Sequence, residues 1–287
     1  MSFATSIRTP LRRTFARPLW TVSEPFRVDS KFTRPTDVRL GVKKLNIFIN
    51  DAHILKDVSV SIPQNKITCI IGPSGCGKST LLRTLNRLVD TTEGIKISGN
   101  VNFGGHDIIA AKGSEITELR RNIGLVPQRP CPLPMSIFDN VAYGCRIHGI
   151  RKHSKLETIV RHYLEAVGLW EEVKDRLHTP ANRLSIGQQQ RLCLARSLAV
   201  EPSYLLADES TSALDPISSK KVEELFVQLK EHYSIVMVTH TLRQALRIAD
   251  HVIFMYLGEV IEEGPAKEIF NNPQHKLTKS YLNGAFS

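Results

Sequence analysis

Two stretches of period-2 alternation open the patterned part of the chain. Leu45, Ile47 and Ile49 form the first; Val58, Val60 and Ile62 form the second, closed by the turn Pro63-Gln64-Asn65. Such alternation predicts half-buried strands, here ahead of a third. That third is the unbroken apolar run Ile67-Thr68-Cys69-Ile70-Ile71, which reads as a fully buried strand. Leu81, Leu82, Leu85 and Leu88 then recur at helical spacing. After a turn at Thr91–Gly94, Ile95, Ile97, Val101 and Phe103 predict another strand pair. A short helix over Ile116–Asn122 and a strand over Ile123–Val126 come next.

The pattern changes over residues 129–186. A proline cluster (Pro130, Pro132, Pro134) gives way to helical stretches at Ser136–His148, Leu156–Val167 and Trp170–Arg176. Ser136 and Asp139 resemble an N-cap pair. Strand–helix alternation then resumes. Helices are expected over Gly187–Ala199, from Asp215-Pro216 to about Tyr233, and over Leu242–Ala249. Strands are expected at Tyr204–Ala207, Ile235–Val238, Val252–Tyr256 and Val260-Ile261, and two short helices close the chain. Alternating strands and helices predict an α/β fold with a mainly parallel sheet. The early strands predict an N-terminal antiparallel β subdomain, and 129–186 an inserted α-helical subdomain.

Composition alters this picture at one end. The 287 residues carry a formal charge of +10, but residues 1–44 hold ten basic residues against three acidic ones. The remainder is nearly balanced, so no nucleic-acid partner is expected. Residues 1–39 lack apolar periodicity and read as a basic flexible extension, with 40–287 as the folded domain. An organelle-targeting peptide or a contact with anionic membrane through Arg8, Arg12, Arg13 and Arg17 are the other readings. No apolar run reaches the roughly 18 to 20 residues that span a bilayer. Five cysteines with no C-x-x-C pair suggest neither a disulfide nor a zinc framework and suit a reducing compartment.

The chemistry centres on Gly72-Pro73-Ser74-Gly75-Cys76-Gly77-Lys78-Ser79-Thr80, which fits the phosphate-cradling G-x-x-x-x-G-K-[ST] motif. A strand before it and a helix after it supply the required context. Glycines allow backbone N–H groups to face phosphate oxygens, Lys78 can reach the outer phosphates, and the Ser79 hydroxyl can bind Mg²⁺. Cys76 is a small residue that fits the turn, or a thiol activated by the helix start. The strand ending in Asp208-Glu209 delivers two carboxylates: Asp208 for the metal and Glu209 for the attacking water. Gln128 offers a neutral metal or water ligand, and His240, ending another strand, can reach the γ-phosphate or the water. Leu184-Ser185-Ile186-Gly187-Gln188 forms a second anion-binding helix start with no nucleotide of its own within the chain.

Leu184–Gln188 resembles the LSGGQ signature of ABC ATPases. Ser212-Ala213-Leu214-Asp215 resembles their D-loop, and His240 their switch histidine. These motifs stand in family order over roughly residues 42–285. Finer similarity to the ATP-binding subunits of bacterial phosphate importers lies in GPSGCGKSTLLRTLNRL, VPQRPCPLPMSIFDNVAYG, QQQRLCLAR, SALDPIS and FMYLGEVIE. The resemblance implies a P-loop NTPase core that binds ATP and Mg²⁺, with Ser79, Gln128 and Asp208 at the metal. It implies catalytic roles for Lys78, Glu209 and His240. It further implies a head-to-tail pair of copies in which Ser185, Gly187 and Gln188 contact the partner copy's ATP. Two membrane permeases and an extracytoplasmic phosphate-binding protein would complete an importer, with this chain peripheral at the cytoplasmic face of the inner membrane. Residues 129–140 would touch a permease. An importer of another oxyanion or an amino acid, or a soluble ABC ATPase acting on DNA or ribosomes, are the competing readings.

Departures from the family pattern carry their own expectations. Ile186 replaces a usual glycine; a β-branched residue does not easily take φ > 0, so strain, altered signature packing or an altered hydrolysis rate is expected there, with Ser185 and Gly187 retained. The adenine-stacking aromatic falls at Ile49, with Phe48 beside it. Ser210 and Ala207 replace a usual Pro and Leu.

Overall fold

The computed structural model describes residues 39–284. Apart from Arg39, the basic extension expected over residues 1–39 lies outside the described residues. The fold is organised by two sheets. Strands β1 (Leu40–Ile49), β2 (Ala52–Ile62), β4 (Ile95–Phe103) and β5 (His106–Asp107) form an antiparallel sheet in the order β2-β1-β4-β5. The other sheet holds β3 (Ile67–Ile71), β6 (Ile123–Val126), β7 (Tyr204–Asp208), β8 (Ser234–Val238), β9 (His251–Tyr256) and β10 (Glu259–Pro265), in the order β10-β9-β3-β8-β7-β6. All its neighbours pair in parallel except β10 with β9. The fold is thus the expected α/β arrangement, with an antiparallel sheet ahead of a mainly parallel one.

The strand pair expected at 95–103 is one strand. Gly99 sits at φ +102, where an added Cβ would lie 2.2 Å from the Lys44 carbonyl oxygen. The β1–β4 register shifts between Lys43 and Asn46, opposite this glycine. The chain bends at that point without turning back, as a bulge does.

Alternation sends each core strand's side chains into two hydrophobic layers. Ile67, Cys69 and Ile71 of β3 join one cluster, with Leu205, Ala207, Ile235, Met237, Val252 and Phe254. Ile70 faces the other, with Tyr204, Leu206, Val236, Val238, Ile253 and Met255. That second layer is roofed by the antiparallel sheet and by helix α1 (Lys78–Thr84). The first layer continues into helices α3 (Ile137–Ile147), α4 (His153–Ala166), α5 (Trp170–Val173) and α6 (Ile186–Leu198). Helix α2 (Ser114–Asn122) precedes β6, and α7 (Pro216–Leu229), α8 (Leu242–Ile248), α9 (Ala266–Asn271) and α10 (Lys276–Leu282) complete the chain. Each large side chain fully buried here, such as Tyr204, Phe226 or Phe254, contributes about 1.5–3 kcal/mol.

Helix α7 stops short of Tyr233. The His232 and Tyr233 amides both fold back on the Leu229 carbonyl, and Lys230 pairs with Asp250 at 2.7 Å. This frees Ser234 to start β8. In the helical span, Ser136 caps α3 by accepting from the Asp139 amide, and its hydroxyl donates to Asp139 Oδ2 at 2.6 Å. The proline segment before it is shaped by a fully buried Asn140. Its Nδ2 donates to the carbonyls of Leu133, Met135 and Ser136, while Oδ1 accepts from the Leu133 amide and from Arg196. Among the described residues no helix is long and apolar enough to cross a membrane.

Candidate functional site

Register places the site at one edge of the mainly parallel sheet. Ile70 and Asp208 both pair with Val238, and Val126 pairs with Ala207. The carboxyl ends of β3, β6, β7 and β8 are therefore level, and Gly72, Gln128, Glu209 and His240 come within two residues of them. This is the crevice outside strand ends where open α/β sheets bind ligands. The strand carrying Asp208 is not the immediate neighbour of β3; β8 lies between them. Asp208 reaches the loop from one strand further away.

The loop over 72–80 has little freedom to accept larger residues. Gly72 sits at φ +147, and a Cβ there would lie 2.1 Å from the Met255 carbonyl oxygen. Gly77 caps α1 at φ +99, with Leu55 Cδ2 2.7 Å from where a Cβ would be. Gly75, at φ +78, has nothing within 4 Å. Lys78 is buried, and its ammonium donates to the carbonyls of Gly72 and Pro73 at 2.8 and 2.7 Å, which holds it over its own loop. Cys76 is buried as well, and burial pushes its thiol up despite the Lys78 charge. A buried thiol with its proton held favours the reading of Cys76 as a small residue that fits the turn, since the thiolate is the reactive form.

Asp208 joins loop and strand. Its carboxylate accepts from the Ser79 hydroxyl at 2.7 Å and from Arg83 Nη2 and Nε at 3.0 and 3.2 Å. Arg83 is a site residue that the motifs alone do not pick out. Its only signal in sequence is its place one helical turn beyond Ser79, on the same face of α1. Glu209 lies beyond the end of β7 at φ +46, a strained conformation for a non-glycine residue. Its Oε2 accepts from Gln128 Nε2 at 2.9 Å and lies 3.3 Å from His240 Nδ1. Gln128 also reaches Ser212 Oγ at 3.4 Å, which brings the Ser212–Asp215 segment to the same corner. Asp215 caps α7 by accepting from the Ile217 and Ser218 amides.

The donor set fits a hard cation. Ser79 Oγ and Asp208 Oδ1 already converge, and both are oxygens of the kind Mg²⁺ takes. No group of three or more His, Cys, Asp or Glu forms a metal cage among the described residues. One carboxylate and one hydroxyl are the kind of sparse oxygen donor set that could hold Mg²⁺.

Ser185, Gly187 and Gln188 stand elsewhere, at the start of α6. Ser185 and Gln188 form a reciprocal capping box, and Gln188 Nε2 also donates to Glu172 in α5 at 2.8 Å. A Cβ on Gly187 would meet Ser218 Oγ of α7 at 3.0 Å, so its near neighbour within the chain is that helix. Ile186 is the first residue of α6 and is not among the residues of positive φ. The strain expected there is absent, and its side chain is 56% exposed. Phe48 stacks on His53, with ring centroids 4.0 Å apart, where the β1–β2 register shifts between Ile47 and Phe48.

Comparisons with known proteins agree with this geometry. The ABC transporter family matches residues 55–212. The phosphate import ATP-binding protein PstB of Borreliella afzelii (strain PKo) is 50% identical over 259 residues, covering 90% of this chain and 99% of that protein. The solved structure of cbiO1 from Clostridium perfringens, part of the ABC transporter complex cbiONQ, superposes with a TM-score of 0.70 at 28% identity. That match covers 86% of this chain and 95% of the other. A bacterial Atm1-family ABC exporter with ATP bound shares the fold, with a TM-score of 0.74 at 22% identity over 90% of this chain and 44% of its own.

Proposed function

We infer function from a family assignment: this chain belongs to the ABC transporter family, and we propose that it is the ATP-hydrolysing subunit of a phosphate importer. The observation that carries the reading is the 50% identity to a phosphate import ATP-binding protein over nearly the full length of both chains. Among the described residues no feature favours another solute or a soluble role on nucleic acid.

In this reading the loop over 72–80 holds the ATP phosphates and Lys78 turns from its own carbonyls to the outer ones. Ser79, Asp208 and Gln128 would hold Mg²⁺, and the ion would supply positive charge that offsets the charge building on the leaving diphosphate. Glu209 takes a proton from water as the water oxygen bonds to the γ-phosphorus and the bond to the β-phosphate oxygen breaks, giving ADP and inorganic phosphate. Gln128 and His240, both at Glu209 Oε2, fix the direction of that carboxylate. Ser185, Gly187 and Gln188 serve the ATP of a second copy, with Ser212–Asp215 beside them. Nucleotide then joins two copies, and hydrolysis removes the joint; that differential binding can shift a transporter between states.

Residues 129–140, stiffened by prolines and by Asn140, touch one of two membrane permeases. An extracytoplasmic phosphate-binding protein supplies the solute, and the subunit sits at the cytoplasmic face of the membrane. Phosphate uptake tests the reading. A strain deleted for this gene should lose high-affinity uptake and regain it with the wild-type gene but not with a Lys78→Ala variant. Unchanged uptake in the deletion strain would reject phosphate as the solute.

A further inference from the structure

One carboxylate outside the reacting site ties the start of α6 to the helical span. Glu172, in α5, lies 2.8 Å from Arg191 Nη1 through Oε1. Its Oε2 accepts from Arg191 Nη2 at 3.1 Å and from Gln188 Nε2 at 2.8 Å. Arg191 also donates to the Gly168 carbonyl at 2.6 Å. Both ends of the Gln188 amide are in use, because its Oε1 accepts from the Ser185 amide at 3.0 Å. A continuous path thus runs from Gly168 and Glu172 through Arg191 and Gln188 to Ser185.

We propose that Glu172 is a positioning residue for the helix start over Ser185–Gln188, fixing the direction in which the Ser185 hydroxyl and the adjacent amides meet the nucleotide of a second copy. This rests on the reading that those residues act across a pair of copies. The Ser185 oxygen accepts from the Gln188 amide at 3.3 Å, so its own proton remains available to an anionic acceptor. The capping box, the Gln189 bonds to the Asn182 and Leu184 carbonyls and the Gln190 bond to the Pro127 carbonyl all hold the first turn of α6, but none of them reaches α5. The two-pronged Arg191 contact and the Gln188 bond tie it to α5 through a single carboxylate. Burial pushes the Glu172 carboxyl up, but hydrogen bonds from Arg191 and Gln188 and the charges of Arg191 and Lys221 outweigh it and hold the group below its usual value. The clamp therefore stays charged at neutral pH. Without it, Arg191, only 13% exposed, keeps a charge with no carboxylate partner at this position, and Gln188 loses the acceptor that orients its amide.

The test compares Glu172→Ala, Glu172→Gln and Ser185→Ala, each in the full-length chain carrying Glu209→Gln. Two quantities are read: affinity of the single subunit for a fluorescent ATP analogue, and ATP-dependent dimerisation by sedimentation. Glu172→Ala should weaken dimerisation on the order of tenfold, the scale of a lost charged hydrogen-bond pair, with nucleotide affinity unchanged. Glu172→Gln, which keeps an acceptor for Gln188 but loses the ion pair, should fall between. If Ser185→Ala weakens dimerisation while Glu172→Ala does not, the positioning role is overturned and the two-copy reading stands. If Ser185→Ala also has no effect, the two-copy reading fails and takes the proposal with it. If Glu172→Ala weakens nucleotide affinity as much as dimerisation, the residue is merely structural and the proposal is overturned.

Discussion

Gln128 donates to Glu209 at 2.9 Å although 81 residues separate them in sequence. The bond joins the end of β6 to the end of β7, and His240 approaches the same Glu209 oxygen from the end of β8. A carboxylate held from two sides at a backbone φ of +46 is one whose direction the fold specifies. Such strain is expected where geometry serves chemistry.

Glu209→Gln removes the proposed base and keeps an acceptor for Gln128. ATP hydrolysis should fall by about 10²- to 10⁴-fold while ATP still binds. A nucleotide-dependent dimer should accumulate on gel filtration. Hydrolysis at the wild-type rate would exclude Glu209 as the base.

Arg83→Gln leaves the buried Asp208 carboxylate with Ser79 as its remaining partner of the pair. Because the arginine is half exposed, the loss should be modest, about 1 kcal/mol. Ser79→Ala should cost a similar amount. The double variant should depart from the sum of the two, since both act on one carboxylate. Urea denaturation of the three variants measures this directly.

Two glycines of one loop should answer alanine differently. Gly72→Ala drives a Cβ against the Met255 carbonyl oxygen and should destabilise by about 2–3 kcal/mol or more and abolish ATP binding. Gly75→Ala meets open space, so only its positive φ matters, about 1 kcal/mol. Melting temperature and nucleotide titration separate the two.

Ile186→Gly restores the usual family residue but relieves no strain, because Ile186 is already helical and exposed. Stability should drop by about 0.5 kcal/mol from helix propensity, with hydrolysis close to wild type. A marked gain in either would show that the isoleucine is a handicap after all.

Acid should weaken the helical span. Hydrogen bonding from Ser136 comes first, then Arg146, and together they outweigh burial to hold Asp139 below its ordinary value. A group whose pKa is depressed on folding adds stability above its unfolded pKa, about 4, and loses it as pH falls through the folded value. The urea midpoint should therefore decline as pH is lowered from about 5 to 3, and less steeply in Asp139→Asn. An equal slope in that variant would assign the loss to other carboxylates.

Much of this molecule was determined by the sequence itself. Ile67–Ile71 and Ile123–Val126 are strands at the residues where their largely apolar runs begin and end, because polar, glycine or proline neighbours (Lys66 and Gly72, Asn122 and Pro127) mark their limits on both sides. The phosphate loop was legible because its glycines and lysine sit at fixed spacing between a strand and a helix. Local signals also located the Ser136–Asp139 cap and the helix starts at Asp215 and Ser185, since capping is a matter of three or four neighbouring residues.

Tertiary structure decided what depends on distant partners. A stretch of 95–103 that reads as two strands is one, because Gly99 can pass against the Lys44 backbone. Ile186 escapes strain because the capping box starts the helix ahead of it. Arg83 on Asp208, Asn140 inside the proline segment and Glu172 on Arg191 are ordinary polar residues in sequence. Each gains its role only when folding brings a charge or a carbonyl within hydrogen-bond reach, and in the buried Asp208 and Asn140 an unpaired group would be costly.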